Sequence, residues 1–208
     1  MHKHLYMPED HMDELYNSSN PFVRFVHRNR LKSIVALLPD AKGLKILDAG
    51  CGEGHLIEVM HEKRPDNDYY GFDVTEVAVE SAKERCPYAK IQQGDIAAMP
   101  VPDGSFDVIT CTEVLEHIID YESVVMELKR VLKPGGCLIL TFPNEFNWTI
   151  GRWLLGRKPV KIIDHVNAFT PRMMRNIVKL PVVAQRSLPF RLPFIASLGV
   201  LMKFKRGI

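Results

Sequence analysis

Eight residues, Leu47-Asp48-Ala49-Gly50-Cys51-Gly52-Glu53-Gly54, constrain this chain more than any other stretch. They join a short apolar run, Leu44 to Asp48, to a helix-forming segment that continues to about Lys63. Glycines at alternate positions in a strand-to-helix connection allow a sharp turn and let a ligand approach the main chain. The spacing sets this loop apart from two other glycine loops. A Gly-x-Gly-x-x-Gly fingerprint needs glycine at position 55, where His55 stands, and a Walker A loop needs a closing Gly-Lys-Ser/Thr that the chain lacks.

The surrounding sequence supplies strands and helices in alternation. Tyr69-Tyr70-Gly71-Phe72-Asp73 predicts a second strand and Thr75 to Arg85 a helix. Ala89 to Gln93 is a weak third strand, Phe106 to Cys111 a strong fourth and Cys137 to Phe142 a fifth. Asp120 is placed to cap a helix running to Leu132, and Lys133-Pro134-Gly135-Gly136 predicts a turn into strand five. Five strands separated by helical crossovers imply a parallel sheet covered on both faces. Upstream, Asn20 and Pro21 open a helix whose stripe includes Phe22, Phe25, Val26, Ile34, Val35 and Leu38. Residues 1–20 are polar, His-rich and without periodicity, and read as a mobile arm. After Phe142 the pattern loosens: a short helix from Thr170-Pro171 to about Leu180, a strand within Val182 to Phe190, and an apolar segment, Phe194 to Lys203, that fits either element.

The Asp-x-Gly-x-Gly-x-Gly loop with its acidic strand end resembles motif I of the class I S-adenosylmethionine-dependent methyltransferases. Asp73 ending strand two, Gln93-Gly94-Asp95-Ile96 after strand three, Phe106-Asp107-Val108-Ile109 leading into Cys111 to His117, and Leu132 to Gly136 before strand five follow that superfamily's order over roughly residues 44–142. The resemblance implies an α/β, doubly wound, mostly parallel Rossmann-like sheet with an N-terminal helix and an irregular C-terminal part. It implies S-adenosylmethionine as cofactor and S-adenosylhomocysteine as product. The cofactor-binding residues it implies are Asp48, Gly50, Gly52, Gly54, Asp73, Asp95, Ile96 and Thr112. Asp73 would accept from the ribose hydroxyls and Asp95 from the adenine amino group, while Asp48 orders the loop or meets the methionine amino group. Arg24, Arg28 and Arg30 are candidates for the methionine carboxylate, a choice the sequence leaves open. On this reading residues 21–208 form one methyltransferase domain, with 44–142 as cofactor core and 143–208 as acceptor or cap region.

Methyl transfer from a sulfonium is a direct displacement, so the protein chiefly supplies position and electrostatics. A base is needed where the acceptor is a hydroxyl or an ammonium. His117, after strand four at the carboxyl edge of the sheet, is the first candidate, and His165, in Asp164 to Phe169, the second. The stretch Phe106 to Leu140 is similar to the O-methyltransferases of ubiquinone biosynthesis, where an acidic-histidine cluster can hold magnesium. Glu113, Glu116 and His117 have the i, i+3, i+4 spacing to share one helical face, but Leu-Glu-His recurs in metal-free members, so no metal is assigned. The predicted function is methyl transfer to oxygen or nitrogen of a small-molecule or lipid-like acceptor. An RNA methyltransferase, a non-catalytic S-adenosylmethionine-binding protein and a nicotinamide-dependent reductase are its rivals.

Charge divides along the chain. Residues 1–150 hold 15 Lys and Arg against 24 Asp and Glu, whereas residues 151–208 hold 12 against Asp164 alone. The basic part mixes cations with Trp, Phe and Leu, most densely from Leu188 to Arg206. It fits either an anionic membrane surface or further strands of the sheet with solvated cations. Nucleic acid is not an expected partner, because the cofactor half is acidic and no RNA-binding module is visible. Cys51, Cys86, Cys111 and Cys137 form no Cys-x-x-Cys pair, and the start has no signal-peptide core. These features predict a cytoplasmic protein, peripheral to the inner membrane face at most.

Overall fold

The computed structural model describes residues 15–154, 156 and 165–208. Seven strands, β1 (Lys45–Ala49), β2 (Asp68–Asp73), β3 (Lys90–Gln93), β4 (Phe106–Thr112), β5 (Leu132–Pro143), β6 (Val182–Leu188) and β7 (Gly199–Lys205), form one sheet ordered β3-β2-β1-β4-β5-β7-β6. Strands β1 to β5 pair in parallel, and β7 runs antiparallel to both β5 and β6. The order reverses between β1 and β4, where Asp48 lies opposite Thr110. Open sheets of this kind hold ligands at such a reversal, outside the carboxyl ends of the strands.

Helices α1 (Pro21–Val35), α2 (His55–Lys63) and α3 (Glu76–Arg85) cover one face. Leu31, Ile34, Leu56, Ile57, Met60, Val79 and Ala82 pack there on Ile46, Val108, Ile139 and Leu201. Helices α4 (Tyr121–Val131) and α6 (Pro171–Val178) cover the other, setting Val124, Leu128, Met174 and Val178 on Leu47, Ile109, Leu140 and Phe204. Neighbouring strand residues, such as Val108 and Ile109, thus serve opposite cores. Each fully buried side chain of this size contributes about 1.5–3 kcal/mol. The remaining helix, α5 (Glu145–Leu154), leaves the carboxyl end of β5.

Local signals explain most boundaries. The Asn20 side chain accepts the Phe22 and Val23 N–H groups, Asp120 accepts that of Ser123 and Thr170 that of Met173. Three expectations are corrected. Strand β5 begins at Leu132 without the predicted turn: Gly135, at φ +74°, forms an irregularity inside it and donates to the carbonyls of Arg206 and Gly207. No helix joins β3 to β4; the loop is tied down instead by Arg130, which reaches the carbonyls of Met99 and Val101. The proposed arm is not free throughout. Tyr16 within it is buried against His55 and His27, while residues 1–14 lie outside the described residues.

Candidate functional site

The glycine loop is tied to the end of β2. Gly50 and Cys51 both donate their N–H groups to the Phe72 carbonyl at 2.8 and 3.0 Å. The Asp73 carboxylate then takes the Gly52 N–H on one oxygen at 2.8 Å and the Thr75 N–H on the other at 2.9 Å. Asp73 is half-buried, and each oxygen keeps a further lone pair for a ligand. Asp48 is buried and accepts from the Thr110 hydroxyl at 2.7 Å. Burial pushes its carboxyl up to about 7, against the opposing effect of that hydrogen bond. Beyond β3, Asp95 accepts the Ala97 N–H at 2.8 Å, and Ile96 is buried in the same core as Phe72. Asp48, Gly50, Gly52, Gly54, Asp73, Asp95 and Ile96 therefore gather at the carboxyl ends of β1, β2 and β3. Asp107 instead pairs with Lys133 and the Lys45 N–H at the opposite end of its strand.

Gly50 and Gly52 both hold positive φ, +77° and +49°, but their surroundings differ. A Cβ on Gly50 would fall 2.5 Å from Val114 Cγ2, whereas one on Gly52 would meet nothing within 4 Å. Gly52→Ala should therefore cost about 1–2 kcal/mol of backbone strain. Gly50→Ala adds steric displacement of Val114 and should cost about 2–5 kcal/mol in all. Denaturant midpoints of the two variants check this difference, and equal losses would contradict it.

Thr112, at the end of β4, has a buried hydroxyl with no hydrogen-bond partner among the described residues. Glu113 follows at φ +53° and is drawn away from the next turn: Arg30 holds one oxygen at 3.0 Å and the Thr141 hydroxyl the other at 2.9 Å. This corrects the helical face predicted for Glu113, Glu116 and His117, because Leu115–His117 is a single 3-10 turn that Glu113 precedes. It also separates the candidate arginines. Arg30 is buried between Glu113 and Tyr16, Arg24 donates to the Ser18 carbonyl, and Arg28 is exposed.

His165 replaces Glu113 in the cluster. Its ring stands perpendicular to that of His117 with centroids 4.6 Å apart, and its Nδ1 lies 2.5 Å from Glu145 Oε1 on α5. Val166 and Asn167 fasten this segment to the turn by donating their N–H groups to the Glu116 carbonyl. The Glu116 side chain is buried, with no hydrogen-bond partner for either oxygen among the described residues. Burial, reinforced by the nearby charges of Glu113 and Glu145, pushes its carboxyl well above the usual carboxylate range. Ligand atoms of Glu116, His117 and His165 lie within 4.8 Å of one another, so these three could hold a metal ion. The two halves of the site touch where Val114 packs on Gly50. Sequence reasoning missed Glu145 and Tyr16: no local pattern links Glu145 to a histidine twenty residues on, and Tyr16 stands in a stretch without periodicity.

A β3-β2-β1-β4-β5-β7-β6 sheet with antiparallel β7, carrying a glycine loop and an acidic β2 end at its reversal point, is the class I methyltransferase architecture. Residues 40–174 match the family model described as "Methyltransferase domain". The chain belongs to that family. It is similar, at 36% identity over 110 residues, to a "Probable S-adenosylmethionine-dependent methyltransferase" of Mycolicibacterium smegmatis, a match covering 53% of this chain and 42% of that protein. It is 34% identical over 135 residues to a ubiquinone biosynthesis O-methyltransferase of Idiomarina loihiensis, covering 62% and 52%. The chain thus spans about half the length of these curated relatives. Among solved structures, magnesium protoporphyrin IX methyltransferase from Synechocystis, with bound S-adenosylhomocysteine, superposes with a TM-score of 0.73 at 20% identity over 95% of this chain and 94% of that one.

Proposed function

We propose that the protein binds S-adenosylmethionine at the carboxyl ends of β1 to β4 and methylates oxygen or nitrogen of a small-molecule or lipid-like acceptor. The observation that carries this reading is that the Asp73-anchored glycine loop packs through Gly50 on Val114, the residue leading into the turn that bears Glu116 and His117, beside which Glu145 holds His165. The donor set fits the cofactor. Asp73 offers spare lone pairs for two ribose hydroxyls, Asp95 an acceptor for an exocyclic amine, and the orphaned Thr112 hydroxyl a polar contact on the same edge. Asp48, buried beneath the loop, orders it or meets a cationic amino group. When bound, S-adenosylmethionine supplies a methyl group activated by positive sulfur.

The chain's own residues then handle acceptor position and proton. Glu145 fixes His165 with a proton on Nδ1, which leaves Nε2 to accept one from an acceptor hydroxyl or ammonium. His117, packed edge-on against it, is the second base and confines the ring. Burial favours the neutral form of Glu116, and in that form it can donate a hydrogen bond into the cluster without adding negative charge.

Labelled methyl transfer to a cell extract, fractionated into lipid, small-molecule and RNA pools, tests the reading. Label is expected in the lipid or small-molecule pool. Label in RNA alone would overturn the acceptor class, and none in any pool despite measured cofactor binding would leave a binding protein without transferase activity.

A further inference from the structure

We infer that an apolar platform around the mouth of the candidate acceptor site docks on an anionic lipid bilayer. Three elements remote in sequence build it: the first turns of α1, helix α5, and the loop of residues 189–198 between β6 and β7. The Phe25 and Phe190 rings lie 5.8 Å apart, the His27 and Trp148 rings 6.1 Å apart, and Asn147 on α5 donates to the carbonyls of Ile195 and Ser197 at 2.8 Å each. All three sit at the carboxyl edge of the sheet. Helix α5 leaves β5 there, the loop leaves β6 there, and Arg30 of α1 pairs with Glu113 just past β4. The platform therefore rims the edge at which Glu145 holds His165.

Its composition points to lipid. Ile195 is 81% exposed, Phe146 71%, Leu154 70% and Trp153 67%, with Phe190 and Leu192 about half exposed beside them. Single exposed apolar side chains are ordinary, but six on adjoining elements form a surface that water alone does not explain. Among the described residues the charge around them is predominantly positive. Helix α1 carries Arg24, Arg28 and Lys32 besides Arg30, which Glu113 neutralises, and has no acidic residue; none occurs from His165 to the chain end. Glu145, the acidic residue of α5, is engaged by His165. Arg186 and Arg191 line an open pocket with Gln185, Ser187 and Leu192 next to the loop. An aromatic and aliphatic face rimmed by arginine suits anionic headgroups over an acyl boundary. A second copy of the same face would instead set cation against cation.

The contact is with the surface of the bilayer, since no helix among the described residues is long and apolar enough to cross one. The structure also divides the basic segment that the sequence left whole. Residues 199–205 are built into the sheet as β7, while Phe190, Leu192 and Ile195 stay exposed to meet lipid and Phe194 packs inward on the core.

This inference does not rest on methyl transfer. Its test is co-sedimentation of the full chain with phosphatidylcholine vesicles, with and without phosphatidylserine, beside cofactor binding by calorimetry. Retention is expected on the anionic vesicles and not on the neutral ones, together with a blue shift of tryptophan emission and loss of retention at high salt. The double variant Phe190→Glu/Ile195→Glu alters exposed loop residues and should bind vesicles at least about tenfold more weakly, with thermal stability and cofactor affinity unchanged. Three results would overturn the assignment: no retention of the parent chain, equal retention of the double variant, or equal retention on neutral vesicles. A dimer that dissociates in the double variant, without vesicle binding, would give the platform to a second copy instead.

Discussion

Asp73→Ala should weaken binding of S-adenosylhomocysteine by about 10²–10⁴-fold, which follows if two ribose hydroxyls each donate to a charged acceptor at about 1.5–3 kcal/mol. No other proposed cofactor contact concentrates so much in one side chain. The carboxylate orders the loop through the Gly52 N–H and the start of the next helix through the Thr75 N–H, and each oxygen retains capacity to accept a further bond. Its loss therefore removes the ligand's partners and unties the cradle together. Asp73→Asn keeps one carbonyl acceptor and replaces the other with a donor, so it should fall between the parent and the alanine variant. Asp95→Ala removes a single acceptor to an amine and should cost about tenfold. Calorimetric titration with S-adenosylhomocysteine measures all three, and the ligand-induced rise in melting temperature should disappear with Asp73→Ala because that rise follows affinity. An unchanged dissociation constant in Asp73→Ala would place the ribose elsewhere and remove the basis for assigning this edge to the cofactor.

The cofactor half was legible because its signals are local. Strands β1 to β4 and the apolar part of β5 fall where the apolar runs predict them, and glycine, capping and acidic positions sit within a few residues of the turns they make. The rest is written in contacts between distant residues. Strand β7 is the clearest case: Gly199 to Met202 are all buried because β7 is inserted between β5 and β6, so the alternation that would mark a strand is absent. Gly135 and Gly136 read as a turn, yet a Cβ on Gly136 would meet Leu132 and the Lys133 carbonyl of its own strand and the Asp107 carbonyl of β4, all at 3.0 Å or less. Glu113 kept the right spacing for a shared face and lost it to Arg30, which lies more than eighty positions earlier. The division of charge was visible from composition, but its meaning needed α1, α5 and the β6–β7 loop to be brought to one edge.

His165→Asn should lower kcat by about 10²–10⁴-fold, the usual range for a positioned base, while leaving cofactor affinity within about twofold of the parent. The split matters because a residue that merely held the fold would move both. His165 is suited to the chemistry by two contacts: Glu145 at Nδ1 sets which nitrogen is free, and the edge-on His117 ring limits rotation. Glu145→Gln keeps an oxygen that can accept from Nδ1 but removes the charge that would stabilise the imidazolium formed as the proton arrives. It should therefore retain the orientation and lose about tenfold in kcat, less than His165→Asn. A carboxylate behind a histidine is also how a metal ligand is oriented, and Glu116 and His117 stand close enough to complete such a site. Chelation separates the two roles. With His165 acting as base, activity in excess EDTA should equal that of the untreated enzyme, and added magnesium should not raise it. Loss of activity on chelation, restored by a divalent cation, would turn Glu116, His117 and His165 from a proton-handling group into a metal site. The deficit of His165→Asn would then reflect a missing ligand and appear as weaker metal binding, which titration with the cation alone would detect.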